Sequence, residues 1–223
     1  MAQPKHILAI VGDFYHDRQL ATDSLNRIVK PFVEQGLVQL RYGAVTELAD
    51  RLKEQPDAVV LFAEDRIDPQ GSPDKRWMTS EAEHQIQAYV AAGGVWIAWH
   101  SGLASYAEDG EYVNMLRGSF DYHPDVHREV IYTPVAGTAL GGGGDRFGFL
   151  DEHYFVHCRE EETEVFLRSE SVDGESVAGW AHPYGSGKVV CITPAHREEG
   201  LMNEAFASVM RQGVAWGLEL EQP

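Results

Sequence analysis

The run Val95-Trp96-Ile97-Ala98-Trp99-His100-Ser101-Gly102 limits the folds open to this 223-residue chain more than any other segment. It reads as a buried strand that stops at a histidine, followed by a small-residue turn and then a helix. Such an elbow holds one side chain at the carboxyl edge of a sheet, where open α/β folds place their ligands. The displayed residue is His100, not the cysteine or serine nucleophile such elbows usually carry.

Similar apolar runs at 6–11, 57–63 and 188–193 predict further strands buried on both faces. Residues 17–34 carry Leu20, Leu25, Ile28, Val29, Phe32 and Val33 at helical spacing, and Gly36 is placed to end that helix. A strand at 37–42, a short helix at 46–54 and a polar loop at 64–77 follow. Thr79 caps the next helix, with Glu81 and Glu83 suiting its positive end, and Gly93-Gly94 closes it. This alternation predicts an α/β fold with a mainly parallel sheet and helices on both faces. Beyond Arg117, strands at 129–133, 163–169 and 176–184 lack comparable helices, which predicts an antiparallel extension. A closing helix is expected at 203–218, and a single domain over 1–223 fits the length. Gly141 to Gly144 neither follow a strand nor open a helix, so they read as a flexible connection rather than a phosphate loop.

The formal charge of -17 repels nucleic-acid phosphates and anionic membranes, so a small molecule is the expected partner. Cys158 and Cys191 form no disulfide framework or zinc-ligand spacing and read as reduced thiols. The amino terminus leads into a strand pattern without a signal-like segment, and no apolar run is long enough to span a bilayer. A cytoplasmic protein is the expectation, and a homo-oligomer is compatible with it.

In a parallel sheet the strand-to-helix loops open on one edge, which brings Asp13, Tyr15 and His16, then His100 and Ser101, then His196, Arg197 and Glu198 to one cleft. His100 and His196 are candidates for acid/base catalysis because imidazole titrates near neutral pH. The plainer reading of His100 is a helix cap or a partner for a backbone carbonyl, and Ser101 reads first as a cap. Glu198 is placed to hold His196 in one tautomer. Acidic clusters such as Asp151-Glu152 are usually solvated, but Tyr154 and Phe155 imply a structured element beside Glu152. His123 and His127 lie four apart, yet Pro124 opposes a helix presenting both. Some of His16, His100, His123, His196 and Glu152 suit zinc or manganese, but no tight ligand motif is present and no metal is assigned. Phe14, Tyr15, Trp99, Tyr122, Trp180 and Tyr184 are aromatics that could stack on a sugar ring, with Trp99 expected to pack inward.

Several segments in order resemble the ThuA-like, trehalose-utilization family. They are Gly12-Asp13-Phe14-Tyr15-His16, Ala91-Ala92-Gly93-Gly94-Val95 leading to Trp99-His100-Ser101, and Phe120 with His123-Pro124. Asp151-Glu152-His153-Tyr154, Gly179-Trp180 through Tyr184-Gly185-Ser186-Gly187-Lys188-Val189 to His196, and Gly213-Val214-Ala215-Trp216 complete the set. The resemblance implies a flavodoxin-like, class I glutamine amidotransferase-like three-layer sandwich. It puts His100 where amidotransferases carry cysteine, and gives His196-x-Glu198 the spacing of their His-x-Glu pair. Glutamine hydrolysis through a thioester needs a thiolate at the elbow, and neither cysteine occupies it. The implied role is in carbohydrate metabolism, on trehalose or a related disaccharide or keto-sugar. His100, His196 and Glu152 are then the expected catalytic residues, and Asp13, Tyr15, His16, Ser101, His123 and Trp180 the expected substrate contacts. A non-catalytic sugar-binding or regulatory protein and a metal-assisted hydrolase are the alternatives. The chain departs from the family's usual Gly-Gly-Gly at Ala92-Gly93-Gly94, and its loop at 137–149 looks irregular.

Overall fold

The computed structural model describes residues 3–141 and 144–221, so Met1, Ala2 and the Gly142-Gly143 part of the glycine patch lie outside the described residues. The parallel half alternates β1 (Lys5–Val11), α1 (Arg18–Glu34), β2 (Val38–Gly43), α2 (Leu48–Leu52) and β3 (Ala58–Phe62). A hairpin of β4 (Arg66–Asp68) and β5 (Ser72–Arg76) precedes α3 (Ser80–Ala91) and β6 (Val95–Trp99). Then come α4 (Glu111–Leu116), β7 (Gly118–Tyr122), β8 (Arg128–Pro134), β9 (Phe147–Asp151) and β10 (Phe155–Cys158). The chain continues through β11 (Glu164–Ser171), β12 (Gly174–Tyr184), β13 (Gly187–Ile192), α5 (Glu198–Leu201) and α6 (Glu204–Leu218).

Nine strands form one sheet in the order β2-β1-β3-β6-β13-β12-β11-β8-β9. Pairing is parallel from β2 to β13 and antiparallel from β13 to β9. The expected α/β sheet with an antiparallel extension is therefore present. Every residue of β3 and β6 is buried, because helices cover both faces there. One apolar layer packs α1 and α6 against the sheet, and the other packs α2, α3 and α4. Three helices start with a side-chain cap: Asp17, Thr79 and Asn203 each accept a backbone N–H from the first turn, from Leu20, Ala82 and Phe206, and of these Thr79 is the cap expected from the sequence. Each such cap contributes about 1 kcal/mol.

Two expectations need correction. Residues 64–77 are not only a loop: β4 and β5 pair within them, and every residue of β5 is exposed, so no apolar alternation marks it. The elbow does not run directly into an α-helix either. His100–Leu103 form one 3-10 turn, and α4 starts only at Glu111. Among the described residues, no helix is long and apolar enough to cross a membrane.

Candidate functional site

The loops after β1, β6, β9 and β13 meet at one sheet edge. His100 sits at the end of β6 with φ +45°, in the left-handed region, and its side chain is fully buried. That backbone costs about 1–2 kcal/mol for a residue with a Cβ and turns the imidazole out of the strand line. Gly102 makes the turn feasible, because a Cβ there would stand 2.2 Å from the Leu61 carbonyl oxygen. His100 Nδ1 lies 2.6 Å from the Thr193 carbonyl oxygen, which can only accept. Nδ1 therefore carries a hydrogen, and in the neutral ring Nε2 is the nitrogen with the lone pair. The Tyr154 ring stacks on this imidazole at 4.0 Å between centroids.

His16 is oriented in the same way from the loop after β1. Its Nδ1 lies 2.6 Å from Asp13 Oδ1, which also accepts the backbone N–H groups of Tyr15 and His16. Asp13 Oδ2 accepts the Glu64 N–H at 2.9 Å. Burial alone would raise the Asp13 pKa, but the His16 imidazole and the Glu64 amide pull it down to about 2. An ionised Asp13 fixes the hydrogen of His16 on Nδ1 and leaves Nε2 free.

His196 and Glu152 complete the cluster. The His196 backbone N–H donates to Asp151 Oδ1, a buried carboxylate that also accepts the Tyr132 hydroxyl. His196 Nδ1 lies 3.0 Å from His16 Nε2 and 3.4 Å from Glu152 Oε2, while His100 Nε2 is 3.4 Å from that same oxygen without an aligned hydrogen bond. Burial and the neighbouring His100 push His196 down to about 3. Burial opposes ionisation of Glu152, yet His100, His196 and His123 draw it down to about 2. Burial likewise opposes charge on His100, but Glu152 outweighs it and holds the imidazole above its ordinary range. One donor atom from each of His16, His100, Glu152 and His196 lies within 4.8 Å of the other three. His196 Nδ1 can donate a hydrogen to His16 Nε2 at 3.0 Å, and a divalent cation bound between the imidazoles and the carboxylate would take the place of that hydrogen. Three nitrogens and one oxygen are a donor set suited to a divalent transition ion.

The cleft above this cluster holds about 410 Å³ and is lined by Tyr15, His16, Ser101, His123, Glu152 and His196, among others. Tyr15 is exposed at its rim. Ser101 is buried, and among the described residues its hydroxyl has no hydrogen-bond partner, so it makes no helix-cap bond. His123 Nε2 stands 3.3 Å from Glu152 Oε1, and His127 Nε2 stands 4.0 Å from the same oxygen.

Trp180 does not join them. It is fully buried in β12, in the apolar layer that includes α4, its indole N–H donating to the Leu116 carbonyl. Glu198 is an exposed residue opening α5, and it is His16 and Glu152, not Glu198, that contact the His196 ring nitrogen. Tyr122 stacks on Phe155, away from the cleft. Neither cysteine is at the elbow: Cys191 lies in the core of β13, and burial raises half-buried Cys158 to about 11. Sequence reasoning missed the parts played by Thr193, Tyr154 and Glu64, which depend on His100 and Asp13, distant in the chain.

A family model described as ThuA, trehalose utilisation, matches residues 12–217. No curated protein matches. A ThuA-like protein from Parabacteroides merdae superposes with a TM-score of 0.74 at 12% identity, covering 96% of this chain and 90% of that one. A second, from Bacteroides uniformis, gives 0.71 at 12% identity over 96% and 91%. A cold-adapted β-galactosidase from Rahnella sp. R3 gives 0.63 at 15% identity over 99% of this chain but 32% of that one, a likeness of fold.

Proposed function

The chain belongs to the ThuA, trehalose-utilisation family, and from that premise we propose that it is a metal-dependent enzyme acting on trehalose or a related disaccharide or keto-sugar. The observation that carries this reading is the mutual approach of His16, His100, Glu152 and His196 within 4.8 Å. The outer hydrogen bonds of His16 to Asp13 and of His100 to Thr193 support it, since metal-ligating histidines are oriented by such partners. His16, His100, Glu152 and His196 would hold a divalent ion, which would supply Lewis-acid polarisation of a substrate oxygen.

The chain's own residues divide the remaining work. Asp13 and the Thr193 carbonyl hold two imidazoles in register, and Asp151 fixes the backbone of the third. Tyr154 and Phe120 wall the cleft and exclude water from one side. His123, exposed and beside Glu152 Oε1, is placed to exchange a proton with a substrate hydroxyl at Nε2. Acid/base chemistry by His100 and His196 alone is disfavoured, because His100 has no exposed surface and its Nδ1 is committed to Thr193.

The test is elemental analysis of protein purified without chelator, together with turnover of disaccharides and keto-sugars before and after metal removal. Near-stoichiometric transition metal and activity lost on chelation and restored on reloading are expected. Turnover that survives complete metal removal refutes the metal reading and returns the acid/base one. Sugar binding without turnover in loaded protein favours a non-catalytic binding role.

A further inference from the structure

Beside the metal-ligating cluster, the same cleft contains a carboxylate and a guanidinium that no step above uses. Glu64 and Arg66 follow β3 and line the cleft together with His16, Ser101, Glu152 and His196. The Glu64 side chain is 3% exposed. It is held at several points: its N–H donates to Asp13 Oδ2, its carbonyl accepts the Trp77 indole N–H, and Oε2 accepts both Arg66 Nε and the Ser105 hydroxyl at 2.8 Å. Its other oxygen, Oε1, is buried and has no partner. Arg66 uses only Nε in this network. Among the described residues, its two terminal amino groups make no hydrogen bond, and the side chain is 34% exposed.

We propose that Glu64 and Arg66 form a clamp for two adjacent hydroxyl groups of a neutral sugar ring, and that they set which sugar the cleft accepts. A carboxylate only accepts hydrogen bonds and a guanidinium only donates them. A hydroxyl does both, so a neighbouring pair of hydroxyls can donate to Glu64 and accept from the free amino groups of Arg66. After a small rotation of the carboxylate, a substrate hydroxyl is the donor that Oε1 lacks. The two side chains cancel in charge, so the pair selects for hydroxyl groups rather than for an anion or a cation. Anionic sugars face the further disadvantage of a molecule carrying a formal charge of -17. Tyr15, Phe120 and Tyr154 supply aromatic surface in the same cleft for the apolar face of a ring.

This inference rests on reading the cleft as a carbohydrate site, and the experiment separates the two. Zinc-loaded wild type, Glu64→Gln and Arg66→Met are titrated calorimetrically with trehalose and with its mono-deoxy analogues, and zinc affinity is measured in parallel. Each variant is expected to bind trehalose at least tenfold more weakly while zinc affinity stays within twofold. At the clamped position, the penalty for a missing hydroxyl seen in wild type is expected to vanish in the variants. Trehalose affinity unchanged in both variants overturns the clamp alone. A loss equal across all analogues, accompanied by weaker zinc binding, overturns it in favour of a purely structural role. If Glu64→Gln does not fold, Arg66→Met decides, since Arg66 is partly exposed and outside the core. Absence of binding of trehalose, of other disaccharides and of keto-sugars to zinc-loaded wild type overturns the carbohydrate reading and the clamp with it.

Discussion

Replacing Asp13 by asparagine probes the proposed metal centre without touching a ligand. Oδ1 of Asp13 takes three donors, the His16 ring and the backbone amides of Tyr15 and His16, whereas Oδ2 takes only the Glu64 amide. Asparagine has one acceptor oxygen, which will face the three donors, so its NH₂ group is left opposite the Glu64 N–H. A buried amide that loses its acceptor costs about 1–3 kcal/mol. For a chain of this length that lowers the melting temperature by roughly 2–4 °C per kcal/mol. Loss of the negative charge behind His16 weakens that imidazole as a ligand, and outer-shell changes of this kind reduce metal affinity about 10–100-fold. Zinc affinity measured by competition with a chromophoric chelator is the assay, with thermal unfolding beside it. Asp57→Asn is the control: Asp57 bonds Lys5 and the His6 amide far from the cleft, so it should lower stability and leave zinc affinity alone. If Asp13→Asn loses stability but binds zinc like wild type, Asp13 merely shapes the loop and the orienting role fails.

Three other perturbations follow from the packing. Trp180→Ala should destabilise the protein by about 3–5 kcal/mol in urea unfolding, as for other buried tryptophans, yet leave sugar affinity intact wherever the variant is folded. Weakened sugar binding in folded variant would contradict its placement in the core. Gly102→Ala should disable the elbow, with zinc affinity falling together with stability, because the Leu61 carbonyl stands 2.2 Å from the new Cβ; wild-type zinc binding would show that the turn relaxes freely. Away from the cleft, His182 is a source of acid sensitivity. Burial lowers its pKa from 6.5 to about 4, so the unfolded chain takes the proton first. Its contribution is therefore complete above pH 6.5 and disappears as pH falls toward 4, a change of about 3 kcal/mol. His182→Gln should flatten the dependence of unfolding free energy on pH in that window, and parallel curves for variant and wild type would refute the assignment.

Much of this architecture was legible because its cause is local. The apolar runs of β1, β3 and β6 and the cap Thr79 announce themselves within a few residues. The exposed hairpin β4–β5 has no such pattern, since Arg66 and Arg76 hold it through Glu64 and Asp65 rather than through burial of its own apolar face. The site divides along the same line. His100 and His196 could be read from their place after buried strands. His16 could be read as one of five possible ligands, but that it joins His100, Glu152 and His196 while His123 stays outside the four depends on the approach of His196, which is 180 residues away. Trp180 was misplaced because an aromatic in a strand does not reveal whether the face it points to is already covered.

Three of the clustered donors hang from strands of the parallel half, which have neighbours on both sides, while Glu152 follows β9, the outermost strand of the sheet. β9 is held in the sheet by a single ladder, to β8. Peeling of that margin withdraws the carboxylate and leaves three imidazoles behind. An ion in the cleft would therefore act as a rivet between the stable and the frayable ends of the sheet, and amide exchange in β9 should slow when the ion is bound.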